Sequence, residues 1–399
     1  MKICMFARSL PAHSVGGMEN HIDMLSKSLS MCGCKVDIIT TAHPGGIEYE
    51  TNEGVRIYYC QNTKPGKYTV SWWKESIKKF VELQDKSPYD LIHSQSAGGY
   101  YILRKRLNEK YNTPVVVSLH GTTVNEIRTK FRMTFDLRSK LSMLKNIYTY
   151  FFWDRFYIKV ADAVIATSDQ QLEIIKRFYH VDAEKLYLVY NGIDEHLFKN
   201  SINTTNLRNS LNIERNEQIL LCVARLKKEK GIQNIIKVIP SVVKAIPKIR
   251  LLIIGDGEYK YPLMRLSKKL NVLAKINFLG FVPYNKLPYY YNVCDAFVNP
   301  TIRENGYDLT ILQAMSCGKP VICSNIGSVP TVISDRVDGF LYPKNNLDAL
   351  AKILINLIAQ PEIRKTVGEN ARKKIMRKFS IKSMTEGTIK VYESILRRG

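Results

Sequence analysis

Short, continuous apolar runs alternate with amphipathic helical stretches along nearly the whole chain. The first series is Lys2–Ala7, Val36–Thr41, Leu91–His93, Val115–His120, Ala163–Thr167 and Leu186–Tyr190. Between the first two runs, Met18, Ile22, Leu25 and Leu29 step by four, three and four residues, which marks one face of a helix. Strands that are apolar throughout are buried on both faces, and intervening helices supply the crossovers of a parallel sheet. The pattern fades after Asn191-Gly192-Ile193-Asp194, over 199–217, where Asn, Ser and charged residues dominate. It restarts at Gln218–Ala224 and continues through Leu251–Gly255, Ile276–Gly280, Ala296–Asn299 and Pro320–Ser324. The fold class expected is therefore α/β, with two doubly wound domains over 1–200 and 201–380 and a helical segment over 381–399. A chain of 399 residues has the material for two such domains.

Several classes are excluded by what the sequence lacks. It has no run of 18 apolar residues, so no membrane-spanning helix is expected. The start, Met1 to Ala7, meets Arg8 too soon for a secretion signal and reads as a buried strand. The eight cysteines are scattered; Cys32-x-Cys34 is too close for a zinc knuckle, and no further pair stands at ligand spacing. Cys222, Cys317 and Cys323 lie in apolar runs and read as reduced core residues. A cytoplasmic protein without structural disulfide or metal is expected. Lys and Arg number 59 against 36 Asp and Glu, a net charge of +23, so an acidic partner is expected: phosphates, nucleic acid or an anionic membrane. No zinc-finger or RNP-type motif supports nucleic acid.

Both halves carry residues suited to phosphate. The first strand is followed by Gly16-Gly17 and then by a helix bearing Glu19. Backbone N–H groups at a helix start attract anions, and glycine admits a ligand close to the main chain. The spacing departs from the G-x-G-x-x-G dinucleotide pattern. In the second half, strand Gln218–Ala224 leads into Arg225-Leu-Lys-Lys-Glu-Lys230-Gly231. Two cations five residues apart at a strand's C-terminal end stand where open α/β sheets bind ligands. Arginine grips a diphosphate bidentately and lysine adds a point charge. Lys227 and Lys228 read as solvated charges. The neighbouring strand ends in Gly255-Asp256-Gly257. The richest segment runs from Asp295 to Thr301, then through Glu304, Asn305, Gly306, Tyr307, Asp308, Leu309 and Gln313 to Gly318 and Ser324. Carboxylates and amides on a loop and the helix after it suit hydroxyl recognition.

That segment resembles the donor-binding region of retaining glycosyltransferases of family four, whose pattern is strand-Pro-Ser, Glu-Gly-Phe-Gly, then a helix ending Glu-Ala-Met-Ala-Cys-Gly. The resemblance extends over nearly the whole chain. It takes in Gly16-Gly17-Met18-Glu19, Leu119-His120-Gly121, Tyr190 to Asp194 with Phe198, Arg225 with Lys230-Gly231, Gly255-Asp256-Gly257, Asn277-Phe278-Leu279-Gly280 and Asp338 to Leu341. It implies the GT-B architecture: two Rossmann-like domains facing a cleft, acceptor on the first, nucleotide sugar on the second, and a C-terminal helix that crosses back to the first. Two departures stand out. The family's Glu-x7-Glu pair falls on Asn305 and Gln313, or else Glu304 fills the first position with one extra loop residue. Thr331 also comes after Pro330, where the family has Glu.

The reaction implied moves a sugar from a nucleoside diphosphate sugar to an acceptor hydroxyl with retained anomeric configuration. By this resemblance His120, Glu304, Asn305, Arg225 and Lys230 form the catalytic set. Gly16, Gly17, Arg225, Lys230, Gly255, Phe278, Gly306, Tyr307, Asp308, Leu309 and Gln313 bind the donor. Charge develops on the leaving diphosphate, where fixed cations and N–H groups lower the barrier. The chain contains no Asp-x-Asp motif, so no metal is expected, and no cofactor beyond the donor substrate. Residues 124–160 hold eight basic and three acidic side chains interleaved with Phe131, Phe135, Leu141, Tyr148, Tyr150, Phe151, Phe152, Trp153 and Phe156. This is either a helix pair with an aromatic core or a surface that lies on an anionic membrane, in which case the acceptor is lipid-linked. Other readings are a catalytically impaired family member acting as a binding subunit, motivated by Asn305 and Gln313, and a GT-B sugar-nucleotide epimerase.

Overall fold

The computed structural model describes residues 1–14, 16–133, 137–304 and 307–398. The chain forms two compact units, Met1–Gly192 with Ile381–Gly399, and Ile193–Ser380. By packing, the division falls at Gly192/Ile193. The reason is local: the Ile193 N–H bonds to the Phe379 carbonyl, and Phe198 is fully buried with its carbonyl accepting from Ser316 Oγ at 2.7 Å. The stretch after Gly192 is thus built into the second unit.

The first unit is an eight-stranded sheet of β1 (Lys2–Phe6), β2 (Lys35–Thr41), β3 (Tyr49–Asn52), β4 (Val55–Cys60), β5 (Leu91–Gln95), β6 (Val115–Leu119), β7 (Ala163–Ala166) and β8 (Leu186–Leu188). Their order is β3-β4-β2-β1-β5-β6-β7-β8. All neighbours are parallel except the β3–β4 hairpin. The alternating side chains of β1 divide the core. Ile3 and Met5 pack with Ile22, Leu25 and Leu29 of helix Gly17–Met31 and with Val391, Tyr392 and Ile395 of helix Ile381–Leu396. Cys4 and Phe6 face the other way, onto Trp72, Trp73 and Phe80 of helix Val70–Lys86. Chain order reverses between β1 and β5, so this is the sheet's switch point.

The second unit has β9 (Gln218–Val223), β10 (Ile249–Ile254), β11 (Ile276–Gly280), β12 (Ala296–Asn299), β13 (Val321–Asn325) and β14 (Phe340–Pro343), all parallel, in the order β11-β10-β9-β12-β13-β14. This is the doubly wound order of dinucleotide-binding sheets, and its switch point lies between β9 and β12. One face is covered by helices Ile232–Ala245 and Leu347–Ala359. Ligands of such sheets bind beyond the carboxyl ends of the strands at the switch point. In this unit that position is formed by the loops after Val223 and Asn299. The hairpin β3–β4 and the edge strand β14 are absent from the apolar runs: β3 is the polar Tyr-Glu-Thr-Asn, Arg56 interrupts β4, and β14 is only four residues long. All eight cysteines are free thiols, and no helix among the described residues is long and apolar enough to cross a membrane.

Candidate functional site

Two glycines set the geometry at the second switch point. Gly255 directly follows β10 at φ +125°, and a Cβ there would lie 1.9 Å from the Ala224 carbonyl oxygen. Gly231 has φ +69°, and its Cβ would meet the Pro300 carbonyl at the same distance. Only glycine tolerates this combination of backbone and contact. The chain carrying Lys230 is therefore pressed against the end of β12, and the Ile302 N–H completes the contact by bonding to the Glu229 carbonyl at 3.0 Å.

Four polar side chains converge there. Asp308 Oδ1 accepts from Lys230 Nζ and lies 3.3 Å from Arg303 Nη2. Its Oδ2 accepts from Asn299 Nδ2 at 3.1 Å. Lys230 and Asp308 side chains are only 12% and 13% exposed. Burial alone would raise the Asp308 carboxyl, but the charges of Lys230 and Arg303 outweigh it and hold the group well below the usual carboxylate range. Asp308 stands at the N-cap of helix Leu309–Ser316, yet its side chain makes no capping bond. Arg225, just beyond β9, is exposed, with no side-chain partner among the described residues. Glu304 lies 3.9 Å from Lys344 Nζ. Gln313 is buried, and its Oε1 accepts from Tyr291 Oη at 2.7 Å. Phe278 is half-buried against the core of the unit, Tyr307 and Leu309 are part-buried, and Gly255 N–H bonds to the Gly280 carbonyl at 2.8 Å. Asn305 and Gly306 lie outside the described residues.

The first unit holds the remaining site residues. Gly16 caps helix Gly17–Met31 in extended conformation, and Glu19 in its first turn accepts from Ser9 Oγ at 2.7 Å. His120, just beyond β6, has Nε2 2.7 Å from Gln95 Oε1 at the end of β5. The His21 ring, on the Gly17–Met31 helix, meets the His120 ring edge-on at 4.6 Å. His93 on β5 is fully buried; its Nε2 is 2.7 Å from Ser118 Oγ and its Nδ1 2.7 Å from Tyr392 Oη. The structure thus joins the glycine-led helix to His120 through His21. Burial depresses all three imidazoles: His21 to about 4, His93 to about 3, and His120 well below the usual histidine value, with the neighbouring histidines adding to the effect at His93 and His120. They are neutral at pH 7.

Arg303, Asn299, Gln95, His21 and His93 were not assigned roles from sequence. The signal for Arg303 and Asn299 was their place at the end of β12, on the loop already identified. Nothing in the sequence marks His21 or His93.

Comparison with known proteins also divides the chain in two, between residues 197 and 203. The family described as Glycosyltransferase Family 4 matches residues 15–197, and the one described as Glycosyl transferases group 1 matches 203–374. The chain belongs to the family 4 glycosyltransferases. This glycosyltransferase is 27% identical over 400 residues to an uncharacterised glycosyltransferase of Methanocaldococcus jannaschii, covering 98% of each chain. It is 24% identical over 393 residues to the N-acetyl-alpha-D-glucosaminyl L-malate synthase of Bacillus anthracis, covering 96% of this chain and 95% of that one. It is 26% identical over 357 residues to the alpha-monoglucosyldiacylglycerol synthase of Streptococcus pneumoniae, covering 88% and 77%. Among solved structures, sucrose-phosphate synthase of Thermosynechococcus elongatus matches with a TM-score of 0.82 at 22% identity over the full length of both chains. HepE of Anabaena, solved with UDP-glucose, matches with a TM-score of 0.74 at 21% identity over 99% of this chain and 100% of that one. The fold of this glycosyltransferase is GT-B.

Proposed function

We propose that this glycosyltransferase transfers a sugar, with retained configuration and without a metal ion, from a nucleoside diphosphate sugar to an acceptor in glycan or glycolipid biosynthesis. The observation that carries the reading is the cationic group at the β9–β12 switch point: Arg225 exposed, Lys230 and Arg303 gathered on Asp308. In the reaction the bond from the anomeric carbon to the diphosphate oxygen breaks, and the acceptor oxygen bonds the same face of that carbon. The acceptor's proton passes to the leaving phosphate. Arg225 and Lys230 offset the charge that builds on the leaving group. His120, neutral and held through Nε2 by Gln95, keeps its Nδ1 for a sugar hydroxyl. Glu304 serves the sugar hydroxyls. The UDP-glucose bound by HepE supports a nucleotide-sugar donor. A thermal-shift series with UDP, GDP and ADP, followed by NMR of the product's anomeric configuration, tests the reading. A rise in Tm with one of them, a retained anomer and activity that survives EDTA are expected. An inverted product or loss of activity on chelation would refute retention or metal independence respectively.

The acceptor is read as lipid-linked and met at the cytoplasmic face of an anionic membrane. A specific observation favours this. In the segment formed by helix Leu137–Thr149, a π-helical turn over Tyr150–Asp154 and helix Arg155–Val160, Leu144, Tyr148, Phe152, Phe156 and Val160 are all exposed, the first three at 60%, 57% and 63%. A step of four residues precesses about 40° in an α-helix, and the wider π turn offsets that drift. Arg104, Lys105 and Arg106 are exposed, and the Arg104 guanidinium lies over the ring of Tyr100, on which Trp153 of this segment stacks. A relative named as a glucosyldiacylglycerol synthase supports a lipid acceptor. The side chains of Phe131, Phe135 and Leu141 lie outside the described residues.

A further inference from the structure

The carboxylate of Asp308 occupies the place an anionic ligand would take on Lys230. The donor's diphosphate and this carboxylate carry the same sign, and both seek the one ammonium. Lys230 is nearly buried; left unpaired, a charge in that position would be costly. Asp308 removes that cost when no donor is present. Asp308 has, besides Lys230, two further donors, Asn299 Nδ2 at 3.1 Å on one oxygen and Arg303 Nη2 at 3.3 Å on the other. If Lys230 turns away, the carboxylate keeps a cation and an amide. The Lys230 side chain is flexible, whereas its backbone is fixed by the Gly231–Pro300 contact, so the ammonium moves without the chain.

We propose that Asp308 is the resident counter-ion of Lys230, yielding it to the donor's diphosphate and reclaiming it when the nucleoside diphosphate product leaves, while Arg303 and Asn299 hold the carboxylate in place. Asp308 then sets donor affinity and product release and is a positioning residue: it weakens diphosphate binding by competition, and that weakening speeds departure of the product. The inference rests on Lys230 being a diphosphate ligand.

The test is a double-mutant cycle read by calorimetry with two probes, inorganic diphosphate and UDP, on the full chain. Asp308→Asn keeps the shape and removes the charge; Asp308→Ser serves where the amide fails to fold. Both should bind the probes about 10-fold more tightly than the unaltered protein, since a charge-assisted bond no longer competes, with the gain absent for uridine. In turnover, Asp308→Asn should lower KM and kcat together and show a burst of product in the first cycle. In a Lys230→Ala background the gain should vanish. Arg303→Gln should loosen binding of UDP, because Asp308 then has only Asn299 to hold it when Lys230 leaves. Weaker or unchanged probe binding in the folded Asp308 variants, or the same gain without Lys230, overturns the proposal. Unchanged UDP affinity in Lys230→Ala alone overturns instead the reading of Lys230 as a diphosphate ligand.

Discussion

Arg225 and Lys230 lie five residues apart but in unlike surroundings. Lys230 is held by Asp308, whereas Arg225 projects free and has its full set of donors to give. Arg225→Ala should therefore cost about 1.5–3 kcal/mol of charge-assisted bonding, a fall of roughly 10- to 150-fold in kcat/KM; unchanged steady-state kinetics in the folded variant would remove it from the site. The histidines predict a pH dependence. His21 is held near 4 by burial, and both its ring nitrogens are buried without a partner. The unfolded chain takes up the proton near 6.5, so between those values it binds more protons than the folded one, and stability rises with pH. Melting temperature should fall as pH drops from 6.5 towards 4, His21 alone accounting for on the order of 2 kcal/mol at pH 5. His21→Leu should keep its stability at pH 7 and flatten that fall; an unaltered acid profile would contradict the assignment. Arg225 and Lys230 were visible in the sequence because a strand and two cations are local features. The counter-ion was not: Lys230 and Asp308 are 78 residues apart, and they meet through the pairing of β9 with β12, the Gly231–Pro300 contact and the Ile302–Glu229 bond. Gln313 was legible as a helix residue, but its partner Tyr291 is on another helix.

The basic, aromatic segment shows the same limit between structural elements. Counting residues over 124–160 identified its character but could not sort its faces, because inward and outward positions are both aromatic. Trp153 stacks on Tyr100 at 5.2 Å and meets Trp73 edge-on at 5.7 Å, whereas Phe152, its neighbour, stacks on Tyr148 in the open at 4.7 Å. A π-helical turn lies between the two periodic stretches and breaks the 3.6-residue spacing that would have told them apart. Phe152→Ser with Phe156→Ser should leave the fold intact and reduce sedimentation with anionic vesicles severalfold, and binding by the parent should weaken with salt as charges are screened. Equal binding to neutral vesicles, or undiminished binding by the variant, would count against this surface. The long parallel strands were legible because their apolar runs are continuous. The β3–β4 hairpin was not, since β3 is the polar Tyr-Glu-Thr-Asn and Arg56 interrupts the apolar run of β4.

At the scale of the molecule, the first unit is closed by residues from the far end of the chain. Met384, Val391, Tyr392 and Ile395 are buried against β1, β2 and the Gly17–Met31 helix, and Thr385 Oγ1 bonds to Ser28 Oγ at 2.8 Å. Each such side chain contributes about 1.5–3 kcal/mol, so together they rival the whole stability of an ordinary domain. Ending the chain at Ser380 should strip hydrogen-exchange protection from β1 and β2 while strands β9 and β10 keep theirs; full protection of β1 in the shortened protein would refute this. The return also bears on how the protein is made. The bond from Tyr392 to His93 spans 299 residues, so on a ribosome the first unit waits for its final helix while the second is translated. At ~5–20 residues per second, the wait from Gly192 to Tyr392 is roughly 10–40 s. During it the apolar face of β1 and the His93 imidazole stand uncovered, available to a chaperone or to another nascent chain, whereas the Ile193–Ser380 unit emerges with every strand of its sheet in hand.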